Sequence, residues 1–143
     1  MKIIFDYNRT LYDPNTDSLY KGVVELLQYL SKDNELFLIS KNEPGRKDRL
    51  VELGIDGYFV KIIFVEKKTV SLFRELSQDD KNILVIGDRI ADEILIGNQL
   101  GFITVWVQQG KFATDLPERD EQQPRHIVQN IQEIKNIFSK YEK

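Results

Sequence analysis

The sequence predicts an α/β/α three-layer sandwich of Rossmann-like type, in which a five-stranded parallel sheet lies between two layers of helices. Short, nearly continuous apolar runs recur along the chain, as is typical of strands covered on both faces. Segments with apolar residues at helical spacing separate these runs, and this alternation favours parallel strands joined by right-handed crossovers. The predicted strands are residues 3–5, 36–39, 62–65, 83–86 and 103–107.

Apolar residues at helical spacing predict helices in the segments that connect the strands. The first stripe runs from Val23 to Leu30, and the second ends at Gly54, a residue type that commonly stops helices. Residues 110–125 contain two prolines and many charges, so we expect an irregular surface stretch there. Beyond it, apolar residues at helical spacing predict a terminal amphipathic helix at about 126–140 that docks on a single domain spanning 1–143.

Composition excludes several classes of function. A chain of 143 residues with 41% hydrophobic residues can form one compact core. The net charge of −3 gives no reason to expect nucleic-acid binding, and the lack of cysteine excludes disulfides and thiolate metal sites. No apolar run is long enough for a signal peptide or a membrane span. We therefore expect a soluble, cytoplasmic protein without a membrane or nucleic-acid partner.

Polar residues of complementary type follow four of the five predicted strands. Ligands of parallel α/β sheets collect at the carboxyl ends of the strands, so these positions are the candidates for a site. Two strand ends are acidic, one carries a hydroxyl and one carries lysines. The residues are Asp6, Ser40, the adjacent Lys67 and Lys68, and Asp88, with Asp92 and Glu93 one helical turn further on.

This set of residues suits phosphoryl transfer. A phosphate ester repels an anionic nucleophile, so a hard cation such as Mg²⁺, which prefers oxygen ligands, has to bridge the two. Asp6 and Asp88 could hold the cation while one oxygen of Asp6 attacks phosphorus. The Ser40 hydroxyl and a lysine could neutralise the remaining phosphate oxygens.

Four short motifs in order resemble the haloacid dehalogenase (HAD) superfamily. They are FDYNRTLYD, FLIS, EKKT and VIGDRIADEILIGNQLG, and the resemblance covers roughly residues 1–109. Each motif is weak alone, but all four occur in the expected order and strand context. The resemblance implies the superfamily's α/β core and a Mg²⁺-dependent hydrolase.

The resemblance also implies a role for each residue. Asp6 would be both nucleophile and metal ligand, with the Asn8 backbone carbonyl and Asp88 as further ligands. The third motif supplies a lysine, for which spacing favours Lys67 over Lys68. Alignment of the fourth motif favours Glu93 over Asp92 as the outer acid. The expected phosphate contacts are Thr10, Ser40 and the lysine, with Lys41 as a further substrate contact bordering the site.

Asn8 is the main departure from the family pattern. Phosphatases of the superfamily carry an aspartate there, which protonates the leaving oxygen and then activates water. An amide can do neither, and the loss of general acid–base help typically costs ~10²–10⁴ in rate. The metal-binding carbonyl of residue 8 belongs to the backbone, so binding of Mg²⁺ and phosphate should persist even though turnover is slowed.

The spacing of the motifs leaves no room for a cap domain. Only 33 residues lie between Asp6 and Ser40, and 26 between Ser40 and Lys67, enough for crossovers alone. The site should therefore be open. A phosphorylated small molecule, a phosphate on a larger partner, or a second copy of the chain could cover it.

The leading hypothesis is a phosphatase that cleaves a phosphomonoester through an aspartyl-phosphate on Asp6. The alternative is a catalytically impaired module that binds Mg²⁺ and phosphate or accepts a phosphoryl group, which Asn8 favours. Dehalogenation fits poorly because dehalogenases of the family do not rely on Mg²⁺. A response-regulator receiver would place its acceptor aspartate on the third strand, and an interaction domain would leave four polar strand ends unexplained.

Overall fold

A computed structural model, in which residues 1–141 are described, contains the predicted layers with one strand more than expected. The strands are β1 (Lys2–Phe5), β2 (Tyr12–Asp13), β3 (Ser18–Leu19), β4 (Glu35–Lys41), β5 (Lys61–Val65), β6 (Ile83–Gly87), β7 (Ile103–Val107) and β8 (His126–Val128). The described residues form a parallel sheet of six strands, in the order β5-β4-β1-β6-β7-β8, and an antiparallel hairpin of β2 and β3. The α-helices are α1 (Val23–Ser31), α2 (Arg46–Glu52), α3 (Val70–Ser77), α4 (Leu95–Gln99) and α5 (Ile134–Ser139).

The register of the sheet sets the position of the predicted site. β1 is central and pairs in parallel with β4 on one side and β6 on the other. Phe5, the last residue of β1, lies opposite Leu38 and Ile86. The carboxyl ends of these three strands therefore meet at one edge of the sheet, where the chain continues into Asp6 and Asp88.

The strands β1, β4, β6 and β7 are largely buried on both faces, as the continuous apolar runs predicted, whereas β5 at the sheet edge is only partly buried. Side chains alternate between two core clusters. Ile3 and Phe5 belong to the cluster that packs under α1, whereas Ile4 belongs to the cluster that contains Phe73 of α3. These three side chains of β1 are at most 2% exposed. The sheet is therefore a rigid platform for the loops at its edge.

The prediction of a helix at about 126–140 is wrong at its start, and the prediction of five strands is one short. Residues 126–128 form β8, which pairs in parallel with β7. Ile127 is half exposed and Val128 is buried, so the apolar spacing was not a helical stripe at this point. Helical structure starts later, with a 3₁₀ turn at Ile131–Glu133 that leads into α5. Asn130 caps this turn with a capping box, in which its side chain accepts a hydrogen bond from the Gln132 backbone N–H and its own N–H donates to Glu133.

The connection from β1 to α1 carries a small structure that the sequence did not predict. In the described chain it contains only the β2–β3 hairpin, in which Tyr12 pairs with Leu19. The chain therefore has no cap domain at this position, as the motif spacing predicted. Among the described residues, no helix has the length and apolar character that a membrane crossing requires.

Candidate active site

Asp6 lies at the centre of the sheet edge, directly after β1. Its backbone N–H donates to the Ile86 carbonyl at 3.0 Å, which extends the β1–β6 pairing to the site. The Thr10 hydroxyl donates to Oδ2 at 3.0 Å, and the Lys68 ammonium donates to Oδ1 at 2.6 Å. With a side chain only 10% exposed, Asp6 is held in one orientation by groups from two loops.

The lysine beside Asp6 is Lys68, so the preference for Lys67 was wrong. The Lys68 side chain is 4% exposed and its Nζ also lies 3.5 Å from Glu93 Oε1, whereas Lys67 is exposed. The two lysines are neighbours in the sequence, and spacing alone does not say which one turns inward. Thr69 follows them as the N-cap of α3, its hydroxyl accepting from the Leu72 N–H at 3.2 Å.

Asp88 and Glu93 complete a buried acidic group with Asp6. One carboxylate oxygen from each of the three lies within 4.8 Å of the others. Glu93 reaches this position across Gly87, where a Cβ atom would come within 2.3 Å of the Glu93 Cγ. Asp92 is only partly buried and lies outside this group, although it lines the same cleft. Of the two acids of the fourth motif, the structure brings Glu93 to the site.

The backbone after β6 explains how Glu93 is placed. Residues Ile90–Ile94 form a π-type turn, and within it Asp92 has non-helical angles of φ −124° and ψ −105°. Such turns are uncommon and often occur at functional sites. Asp88 is fixed separately, because the buried indole of Trp106 donates to its carbonyl oxygen at 2.8 Å.

The pKa values of the three carboxyl groups are shifted in different directions. Burial alone would raise the pKa of Asp6, but the Lys68 ammonium and hydrogen bonds from Asp88, Lys68 and Thr10 outweigh it and hold that pKa below its ordinary value. Burial, with Asp6 and Glu93 nearby, raises the pKa of Asp88 to about 9. Burial also raises the pKa of Glu93 to about 8, against the opposing charge of Lys68. Three carboxyl groups thus share one ammonium, and Asp88 and Glu93 retain their protons to a higher pH than free carboxyl groups do.

The donor set fits a hard divalent cation. Among the described residues, buried oxygens without a hydrogen-bond partner include Asp88 Oδ2 and both Glu93 oxygens. A buried carboxylate oxygen without a partner is costly, and a cation would relieve that cost. Oxygen-only ligands are the kind that Mg²⁺ takes. Asn8, the other proposed ligand, lines the same cleft.

Ser40 and Lys41 lie on the opposite wall of the cleft, at the end of β4. Ser40 is buried, and its hydroxyl accepts a hydrogen bond from Arg46 at 3.0 Å and donates to the Lys41 carbonyl at 3.2 Å. The Arg46 guanidinium also lies 5.0 Å from the ring centre of Tyr7. The structure thus brings Ser40 to the site and adds Arg46, which the sequence did not single out.

The cleft has a volume of about 360 Å³ and collects residues from both halves of the chain. Several of its lining residues were not assigned to the site by the sequence analysis. Arg9 lies within the first motif and Arg89 follows Asp88, so proximity in sequence was an available signal for both. For Lys111 and Phe112 there was none, because the segment from residue 110 was expected to be irregular surface. The missed lining residues are Arg9, Glu43, Arg46, Arg89, Lys111 and Phe112.

The carboxyl ends of the central strands bring together an aspartate, a hydroxyl, a lysine and two further acids. This arrangement in a parallel α/β sheet resembles that of the HAD-like hydrolases. The comparisons with known proteins confirm this resemblance. The HAD-hydrolase-like family model matches residues 69–134, which include Asp88 and Glu93.

Similar proteins agree with this assignment. Glyceraldehyde 3-phosphate phosphatase from Methanopyrus kandleri is 25% identical over 99 residues, which are 63% of this chain and 42% of that protein. The matched part thus spans less than half of that relative. An uncharacterized protein from Listeria monocytogenes serotype 4b superposes with a TM-score of 0.80 at 18% identity, covering 96% of each chain.

A third similar protein was solved with ligands of the kind that the site suggests. D,D-heptose 1.7-bisphosphate phosphatase from B. bronchiseptica, complexed with magnesium and phosphate, superposes with a TM-score of 0.71 at 12% identity and covers 99% of both chains. At such low identities the structural matches show the fold alone. Together with the family model, they show that this chain has the HAD-like hydrolase fold.

Proposed function

We propose that the protein is a Mg²⁺-dependent phosphatase that hydrolyses a phosphomonoester through an aspartyl-phosphate on Asp6. The observation that carries the proposal is the pairing of Asp6 with Lys68 beside two buried carboxyl groups at the floor of an open cleft. Two of the similar proteins are named phosphatases, and one of these was solved with magnesium and phosphate, which supports the same reading.

Asp6 is suited to act as the nucleophile. Its depressed pKa keeps the carboxylate ionised at neutral pH, and its contacts with Thr10 and Lys68 fix its orientation. In the first step a carboxylate oxygen bonds to phosphorus while the bond between phosphorus and the ester oxygen breaks. In the second step water attacks the phosphorus, the bond to Asp6 breaks, and inorganic phosphate leaves.

The other residues bind and neutralise charge. Lys68 compensates the charge of Asp6 and, as the phosphoryl group arrives, of its oxygens. Ser40 offers a hydroxyl that Arg46 orients. Asp6, Asp88 and the Asn8 carbonyl would hold Mg²⁺, with Glu93 behind them. When bound, the cation would screen the phosphate from Asp6 and withdraw charge from phosphorus.

Asn8 sets the expected rate. It lines the cleft where a general acid would be needed, and its amide has no proton to give to the leaving oxygen, which must take one from solvent. Alkyl phosphates should therefore turn over slowly, while p-nitrophenyl phosphate, whose leaving group needs little protonation, should be cleaved more readily.

The test is Mg²⁺-dependent release of phosphate from both kinds of ester by the wild type and Asn8→Asp. We expect Asn8→Asp to raise turnover of an alkyl phosphate by about 10²-fold or more, and turnover of p-nitrophenyl phosphate by less. If the wild type hydrolyses alkyl phosphates rapidly and Asn8→Asp changes nothing, our account of the missing acid is wrong.

Asn8 also favours a second candidate, a module that accepts a phosphoryl group on Asp6 and releases it slowly. Without a general base to activate water, the aspartyl-phosphate would persist. Mass spectrometry after incubation with acetyl phosphate and Mg²⁺ distinguishes the two. A long-lived adduct on Asp6 supports the module, and fast turnover without an adduct supports the phosphatase.

The open cleft leaves room for a partner. Coverage by a second copy of the chain stays a prediction that sedimentation would test. The absence of nucleic-acid and membrane partners and a cytoplasmic location also stay predictions.

A further inference from the structure

Three cationic side chains surround one aromatic ring at the rim of the cleft. The charged groups of Arg89, Arg9 and Lys111 lie 4.6, 5.3 and 5.4 Å from the ring centre of Phe112. We call these four residues the Phe112 cluster. Contact with the ring stabilises each cation modestly, but a ring cannot cancel the repulsion among three like charges.

The cations of the Phe112 cluster form no ion pair with a carboxylate within residues 1–141, although Glu43 and Asp92 line the same cleft. The ion pairs found in that part of the chain join Arg49 and Lys68 to carboxylates, and none includes a cation of the cluster. The Nε of Arg89 is buried and has no hydrogen-bond partner. The whole chain carries a net charge of −3, so a local surplus of positive charge is not a consequence of composition.

The cluster is built into the site by contacts between distant segments. The Gln109 side-chain amide donates to the Arg9 carbonyl at 3.0 Å and to the Thr10 carbonyl at 3.3 Å, which ties the segment after β7 to the loop after β1. Arg9 has a φ of 61°, in the left-handed region that residues with a Cβ rarely adopt. Strain of this kind persists where the surrounding structure imposes it, and it often marks a functional position.

The three cations open into the same cleft as Asp6 and Lys68. In the proposed function the reacting phosphoryl group is neutralised by Lys68, the Ser40 hydroxyl and the cation held by Asp6 and Asp88, so it does not require the rim cations as its main counter-charge. An anion placed at the rim would relieve the mutual repulsion of the three cations.

We propose that the Phe112 cluster binds a second anionic group of the substrate, and that the substrates are phosphate monoesters that carry a carboxylate or a further phosphate. This proposal rests on the proposed function, because it takes Asp6 as the place where the first phosphate reacts. The proposal restricts the substrates of this open, capless site to molecules with a negative charge at both ends.

The test is calorimetric binding of two phosphonates, which the enzyme cannot hydrolyse, to the full chain with Mg²⁺. Propylphosphonate and 3-phosphonopropionate have similar lengths and differ in the second anionic group. We expect the wild type to bind 3-phosphonopropionate at least tenfold more tightly. Propane-1,3-diylbisphosphonate is titrated in parallel. Tighter binding of 3-phosphonopropionate would indicate that the cluster prefers a carboxylate, and tighter binding of the bisphosphonate would indicate that it prefers a phosphate.

Variants then assign the preference to the cluster. Arg89→Ala and Lys111→Ala should each reduce the preference for the doubly anionic probe to about threefold or less. Arg119→Ala removes an exposed arginine outside the cleft and should keep the full preference. Thermal unfolding of each variant verifies that it is folded.

Several results would overturn the proposal. Equal affinity of the wild type for the singly and doubly anionic probes refutes it while leaving the proposed function intact. Equal loss of affinity for both probes in Arg89→Ala would mean that the arginine contacts the reacting phosphate, which also refutes it. Failure of the wild type to bind any of the phosphonates with Mg²⁺ would count against the proposed function as well.

Discussion

The floor and the rim of the cleft are both charged, but in opposite senses. The floor consists of Asp6, Lys68, Asp88 and Glu93, which are buried and contain more carboxyl groups than cations. The rim is the Phe112 cluster, which contains cations without carboxylate partners in the described chain. The floor is thus suited to hold a cation and the rim to hold an anion, as expected of a site for a metal ion and an anionic substrate.

Replacing the proposed nucleophile tests the floor with the largest expected effect. Asp6→Asn keeps the shape of the side chain but removes the charge that we propose attacks phosphorus, so we expect Mg²⁺-dependent hydrolysis of p-nitrophenyl phosphate to fall by at least about 10³-fold. Asp120→Asn, at an exposed position, is the matched control and should retain the wild-type rate. Substantial activity of Asp6→Asn would place the reaction elsewhere.

The pH dependence of stability, measured with a chelator that removes divalent metal ions, tests the excess of carboxyl groups over cations at the floor. The raised pKa values of Asp88 and Glu93 mean that the folded state keeps protons that the unfolded state releases near pH 4. Stability from these groups is therefore complete below about pH 4 and is lost as pH rises toward about 8 to 9, by about 1.4 kcal/mol per pH unit for each proton.

Chemical denaturation between pH 5 and 8 measures this loss. Asp88→Asn removes one of the two carboxyl groups and should flatten the profile. Addition of Mg²⁺ should restore stability most at the upper end of the range, where protons no longer compete for the ligands. A flat wild-type profile without metal would contradict the described charge balance.

The two adjacent lysines offer a sharp comparison of buried and exposed charge. Lys68→Met removes the only ammonium that contacts Asp6 and Glu93 among the described residues, and we expect a loss of about 3 kcal/mol in the free energy of unfolding near neutral pH. Lys67→Met changes an exposed residue and should stay within about 0.5 kcal/mol. Equal effects of the two substitutions would mean that the wrong lysine has been assigned to the floor.

A substitution at Gly87 tests the placement of the Glu93 carboxyl group. A Cβ at this position would lie 2.3 to 2.5 Å from the Glu93 Cγ, Oε1 and Cδ, so Gly87→Ala must displace the carboxyl group. We expect Mg²⁺ affinity to fall by about 10- to 100-fold. Fluorescence of Trp106, the one tryptophan, should report binding because its indole donates to the Asp88 carbonyl.

Gly57→Ala is the matched control, since a Cβ there meets no atom within 4 Å. It should leave Mg²⁺ affinity unchanged. If Gly87→Ala binds Mg²⁺ as well as this control does, Glu93 has no part in holding the ion.

The floor was largely predictable from the sequence, and the rim was not. Asp6 and Asp88 follow apolar runs directly, and a parallel sheet forces the ends of neighbouring strands together. Which of two adjacent side chains turns inward depends on local turns, and this explains the error at Lys67. Asp92 and Glu93 posed the same problem, which the π-type turn resolves in favour of Glu93.

Phe112 shows why the rim could not be predicted. It lies in a segment with prolines and charges, and it reaches the cleft because Gln109 bonds to the loop after β1, about a hundred residues away in sequence. No periodicity encodes such a contact. The same segment leads into β8, whose three residues are too few to give a recognisable strand pattern.

The central claim is a divalent cation held between Asp6 and Asp88 at the floor. Calorimetric titration of the wild type and Asp88→Asn with Mg²⁺ at pH 8 tests it most directly. We predict one Mg²⁺ bound per wild-type chain and binding weakened by at least about tenfold in Asp88→Asn. Absence of Mg²⁺ binding by the folded wild type, or equal affinity of the two proteins, would contradict the claim.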